Sequence, residues 1–252
     1  MNRFSLTGRQ LAYEIVIILR NFYIPFFGMI FPLLLTVFIS NSLKDEVPSE
    51  VFLQVRTQVM LTMIPMIGLS SFFLGEMAIF AFEVEKKIAQ RLEVFGFTRG
   101  GMFATKYLAF LIFTLCSTAV FLVGTKVLSG YESPTILGFI EVNLLLFFMA
   151  GVMFVIAHSL ALVFKSFNIA YGVGMVIYFS IMFLSGMLGL RTEDMPGWLK
   201  TISEFVPYSY GDIYYNIWIG KSVELFQYTQ AVVLFTAIAA ILYIIASKRK
   251  WF

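Results

Sequence analysis

The 252-residue chain is 60% hydrophobic and only 13% charged, with 29 Phe and a formal net charge of +3; its mean hydropathy is +0.87. A soluble domain of this length cannot hide so much apolar surface, and repeated apolar runs of about 20 residues match the hydrocarbon core of a bilayer. The runs lack the period-2 alternation of a membrane barrel, so the expected fold is an all-α membrane protein, one transmembrane domain of six helices over 1–252.

Residues 1–20 lack the compact apolar core and small-residue cleavage site of a removable signal, and 1–21 reads as an interfacial helix. Leu11, Ile15, Ile18 and Phe22 fall at i, i+4, i+7 and i+11, one helical stripe, while Arg3, Arg9, Gln10 and Arg20 supply polar positions. The pattern predicts an amphipathic helix along the membrane surface, and it also suits the opening turns of a long first span. The spans are expected at 22–40, 56–82, 102–129, 135–164, 168–190 and 226–247. Glu76 in the second and Glu141 in the fourth are costly against lipid and should face protein or water, either along a substrate path or proton relay or beside nearby donors. No complementary buried base is expected within the spans. The single Cys116 has no disulfide partner, and the single His158 cannot make a metal site alone. His158 and Ser159 point about 100° apart on a helix, which argues against a nucleophile and base pair and for a hydrogen-bonded His158 inside the bundle.

Between the second and third spans, FEVEKKIAQRLEVFGFTRGG (82–101) gathers the densest charge in the chain. Val84, Ile88, Leu92 and Phe95 share one stripe at i, i+4, i+8 and i+11, Glu83 and Lys87 make an i, i+4 pair on the other surface, and Gly96 offers a left-handed stop. A short amphipathic helix over 83–99 is predicted. Its acids weigh against a lipid anchor beside an anionic leaflet, whereas mixed charge with an apolar ridge suits a groove in a partner protein.

Between the fifth and sixth spans, 191–220 reads as two short helices dipping into the outer leaflet. Glu193 and Asp194 ahead of Pro196 open the first, Trp198, Leu199, Ile202 and Phe205 give it an apolar face, and Pro207 ends it. Tyr208, Tyr210, Tyr214, Tyr215 and Trp218 suit the headgroup level, either as an aromatic belt that fixes bundle depth or in direct contact with substrate.

With six spans both termini share one side. That side collects twelve of the 18 Lys and Arg against four acids, +8, while the other holds six bases and ten acids, −4. The positive-inside rule therefore predicts both termini and the 83–99 helix in the cytoplasm. The asymmetry concerns insertion and anionic lipid and gives no reason to invoke nucleic acid.

Six spans, an amphipathic N-terminal helix, an E-x-x-K-type charged helix ending in GFTR with Lys106 soon after, and SGMLGLRTEDMPGWLKTISEFVPYSY before the last span together resemble the type-2 permease subunits of ATP-binding-cassette exporters. The likeness spans essentially the whole chain, and its most specific element is SG, MP-x-WL and VPYSY in order between Ser185 and Tyr210. The resemblance implies that 83–99 is a coupling helix seated on a nucleotide-binding subunit, with Glu83, Glu85, Lys86, Lys87, Ile88, Arg91, Leu92, Glu93 and Phe95 as its coupling residues. Many members have Glu-Arg-Glu where this chain has Glu85-Lys86-Lys87.

No P-loop G-x-x-x-x-G-K-[ST] occurs, so ATP and Mg are expected on a separate ATP-binding subunit, with no catalytic, cofactor-binding or metal residue in this chain. The implied assembly is a multi-pass complex of the cell membrane, with two such subunits and a second permease, identical or homologous. Its expected work is ATP-driven, multidrug-like export of an amphipathic or hydrophobic cargo such as a drug, an antibiotic peptide or a lipid. The alternatives are export of a polysaccharide or other polar glycoconjugate by the same mechanism, or a stand-alone channel or secondary transporter, which calls for intramembrane charge pairs or related halves.

Overall fold

The structure, a computed structural model, describes residues 8–45, 47–189 and 195–248. Helix α1 (Gly8–Arg20) leads into α2 (Tyr23–Ser42). The long α3 (Phe52–Glu85) and α5 (Arg99–Leu128) flank the short α4 (Ile88–Val94), and α6 (Ile136–Phe164) and α7 (Phe167–Leu184) follow. Two short helices, α8 (Gly197–Ser203) and α9 (Gly211–Trp218), precede α10 (Phe226–Lys248). Six of the described helices, α2, α3, α5, α6, α7 and α10, are long and apolar enough to cross a membrane, so the all-α, six-span architecture stands. In hydrocarbon each such helix satisfies its own backbone groups.

Helix α3 is the hub. Of its most apolar stretch 89% is buried inside the protein, against no more than 50% for any other spanning helix. Met60, Leu61, Met66, Ile67, Phe73 and Met77 are wholly covered, and α6, α7 and α2 pack around them. Pro32 in α2 and Pro65 in α3 have no N–H to donate, and the neighbouring backbone widens into π-helical turns over Phe26–Ile30 and Leu69–Gly75. The peripheral α10 lies along α6 and turns Val233, Ile241 and Ile244 outward, as a lipid-facing helix must. Helix α1 packs along α5, with Leu11, Ile15 and Ile18 turned toward Phe110 and Phe154, while Phe22 is 72% exposed.

Several boundaries differ from those expected. Helix α3 begins at Phe52 and continues through Glu85, and α5 begins at Arg99, where Thr98 caps it by accepting the Gly101 N–H at 3.1 Å. The fifth span stops at Leu184, short of 190, because Gly186 takes φ +73 and Met187 N–H returns to the Met182 carbonyl, a glycine stop. The expected Glu193 and Asp194 opening lies outside the described residues. Helix α8 ends at Ser203, before Pro207, and Trp198, Ile202 and Phe205 face away from the bundle.

The aromatic segment ahead of α10 requires a correction. Tyr208, Tyr214 and Trp218 are at most 1% exposed, which makes them core and not a belt. A buried phenol or indole usually finds a partner: Tyr214 donates to the Pro207 carbonyl at 3.0 Å and Trp218 Nε1 to the Glu132 carbonyl at 2.8 Å, whereas the Tyr208 hydroxyl has no hydrogen-bond partner among the described residues. Tyr215 donates to the Glu132 carboxylate at 2.8 Å.

Candidate functional site

The segment that gathers charge in the sequence is not one helix. Helix α3 carries Glu83, Val84 and Glu85; Lys87 then adopts a left-handed backbone, φ +55, and α4 restarts in a new direction at Ile88. A non-glycine residue in that region turns the chain sharply, so helical spacing does not carry across it. The expected Glu83 and Lys87 pair therefore does not form, and Val84 packs against the core away from the α4 stripe. Gly96, at φ +95, closes α4, with Phe97 N–H returning to the Leu92 carbonyl at 3.1 Å.

The remaining predicted residues divide into two sets. Ile88 and Leu92 turn inward and line a cavity. Lys86, Lys87, Arg91 and Phe95 face outward, together with Val94, which is 82% exposed and was not in the predicted set. Glu85 pairs with Lys86 at 3.2 Å and accepts the Phe167 N–H at 2.8 Å, tying the end of α3 to the start of α7. Glu93 is held by two bonds from Arg99, the longer 3.1 Å. What α4 offers to the outside is thus basic and apolar, its acids being engaged within the chain.

Glu83 belongs to a buried cluster. Lys106, 4% exposed, sits in the second turn of α5 and donates to Glu83 at 2.7 Å and to Glu14 of α1 at 3.0 Å. Deeper in the bundle Glu76 of α3, wholly buried, meets His158 Nδ1 of α6 at 2.9 Å, and the imidazole stacks on Phe80 at 3.9 Å between ring centres. The expectation that no buried base would face the intramembrane acids is corrected by both Lys106 and His158. The hydrogen-bonded role expected of His158 is the one it plays here. Glu141, by contrast, lies on the exposed surface of α6. The signal missed in the sequence is Glu14: it falls at i+3 from Leu11 on the apolar stripe of α1, a position where an acid needs a buried partner.

Two cavities flank this core. One, of about 1130 Å³, opens between α1, α4 and the adjoining ends of α2, α3, α5 and α7. The other, of about 490 Å³, lies at the opposite ends of α2, α3 and α7 and is lined by Gln58, Thr62, Ser185, Ser209 and Asp212. Among the described residues no group of three or more His, Cys, Asp or Glu is placed to hold a metal.

The family model of the ABC-2 type transporter matches residues 7–212, from the edge of α1 through the first five spans, the charged segment and the start of α9. The chain belongs to the ABC-2 type transporter family. An ABC-2 membrane domain is a permease, distinct from a nucleotide-binding domain, so this chain is a multi-pass membrane component of an ABC transporter. ABC-2 permeases normally work with an ATP-binding subunit. A comparison with curated proteins finds none that matches this chain.

Proposed function

We propose that this ABC-2 permease is the membrane half of an ATP-driven exporter for amphipathic or hydrophobic molecules, with both termini and α4 in the cytoplasm. The observation that carries this reading is the placement of two cavities on the same three helices. An apolar chamber at one end and a smaller, more polar one at the other suit a molecule that enters from the inner leaflet and leaves toward water. The outward face of α4, with Lys86, Lys87, Arg91, Val94 and Phe95, seats on a separate subunit that binds ATP and Mg. Exposed apolar residues mark an interaction face, and Glu85 and Glu93 beside Lys86 and Arg99 keep its charge mixed, which suits a protein groove better than an anionic leaflet. Two permeases, identical or homologous, and two ATPase subunits complete the transporter.

Two measurements test the reading. The ATP-binding subunit encoded with this chain is expected to copurify with it, and inside-out vesicles holding both are expected to accumulate an amphipathic dye only when ATP is supplied. Val94→Asp with Phe95→Asp places two charges on the docking face without touching the buried cluster. That variant is expected to lose the ATPase subunit, or to keep it with hydrolysis no longer driving uptake. Undiminished ATP-driven uptake by the double variant would remove α4 from the coupling path.

A further inference from the structure

The larger cavity has two kinds of wall. One is aromatic: Phe82 meets Phe167 edge to face at 6.3 Å between centres, Phe167 stacks on Tyr171 at 5.4 Å, and α1 and α2 add Tyr13 and Tyr23. Lys86, exposed and outside the cavity lining, sets its Nζ 5.7 Å from the centre of the Phe82 ring and has its charge paired with Glu85. The other is acidic. Glu14 and Glu83 line the cavity, whereas Lys106, the ammonium they share, does not reach its surface. Two carboxyl groups share one ammonium, so acid groups outnumber bases in this patch. The Glu14, Glu83 and Lys106 side chains are mostly buried, so water screens their charges poorly. The other charged group on the lining, Arg9, stands on the exposed side of α1, where solvent screens it.

At about 1130 Å³ the cavity accommodates a drug-sized molecule. A neutral ligand would displace water from the carboxylates without replacing the charge that balances them, and an anion would be repelled by them. We infer that this cavity binds a hydrophobic organic cation, its charge beside Glu14 and Glu83 and its body against the Phe82, Phe167 and Tyr171 wall. The inference rests on the exporter reading above and narrows its cargo to amphiphiles carrying one positive charge.

The test uses two ions of nearly one shape and opposite charge, tetraphenylphosphonium and tetraphenylborate. Each is measured on the purified transporter in nanodiscs and corrected by the same measurement on protein-free nanodiscs. The phosphonium is expected to bind saturably and at least tenfold more tightly than the borate. Glu83→Gln is expected to weaken phosphonium binding about tenfold. Ala78→Trp, which fills the cavity and leaves the three charged residues intact, is expected to abolish it. Equal binding of the two ions, or phosphonium binding unchanged in both variants, would overturn the inference. Copurification of the ATPase subunit is scored on the same samples. An intact pair without cation preference defeats the cavity assignment alone, and a chain that never holds an ATPase subunit defeats the exporter reading beneath it.

Discussion

Lys106→Met is expected to cost the fold about 3–5 kcal/mol, the range found when one member of a buried ion pair is removed and its partner stays charged. Here two carboxylates would be stranded, Glu14 and Glu83, on two different helices that Lys106 holds against α5. For a chain of this size the loss corresponds to a fall of about 10 °C in the midpoint of thermal unfolding, read as the monodisperse fraction surviving heat in detergent. The control removes all the charge together: Lys106→Met with Glu14→Gln and Glu83→Gln is expected to recover most of the loss, because a buried ionic cluster adds little over a matched uncharged one. If Lys106→Met alone melts with the parent protein, the cluster is not what joins α1 to the bundle.

The spanning helices were legible because each is a local property, an apolar run whose length is set by the bilayer. On α1 the local pattern picked out Leu11, Ile15 and Ile18, which turn inward, but also Phe22, which is exposed. What stayed hidden depends on partners distant in the chain. Nothing near Lys106 announces that it meets Glu14, 92 positions away, or near Glu76 that it meets His158, 82 away. Charge counting placed Lys106 with the cytoplasmic bases because it stands near a span end. A buried lysine there differs from a solvated one only through its tertiary contacts. The break at Lys87 was hidden for another reason: left-handed backbone at a lysine carries no compositional mark, unlike Gly96, whose stop was read correctly. The tyrosines of α9 resemble a headgroup belt by composition, yet Tyr214 and Trp218 find acceptors in Pro207 and Glu132, which permits full burial.

The junction between α9 and α6 carries the second large expected effect. The end of α9 points its last carbonyls at the start of α6: Thr135 N–H donates to the Trp218 carbonyl at 3.0 Å, and the Thr135 hydroxyl accepts the Gly138 N–H at 3.0 Å. Carbonyl ends thereby meet amide ends, satisfying groups that helix termini otherwise leave open and aligning the helix dipoles favourably. So close an approach requires glycine at 138. A Cβ there would lie 2.2 Å from the Ile217 carbonyl oxygen and 2.8 Å from that of Trp218, and backbone oxygens cannot swing aside as a side chain can. Gly138→Ala is therefore expected to destabilise by about 1–3 kcal/mol, displacing α9 and the buried Trp218 with it. Gly172→Ala on α7, where a Cβ meets nothing within 4 Å, is the matched control and is expected to gain about 0.5–1 kcal/mol from the better helix former. Thermal unfolding of the two variants side by side separates crowding from helix propensity. A Gly138→Ala protein as stable as Gly172→Ala would mean that α9 does not seat on α6 as closely as its carbonyl contacts require.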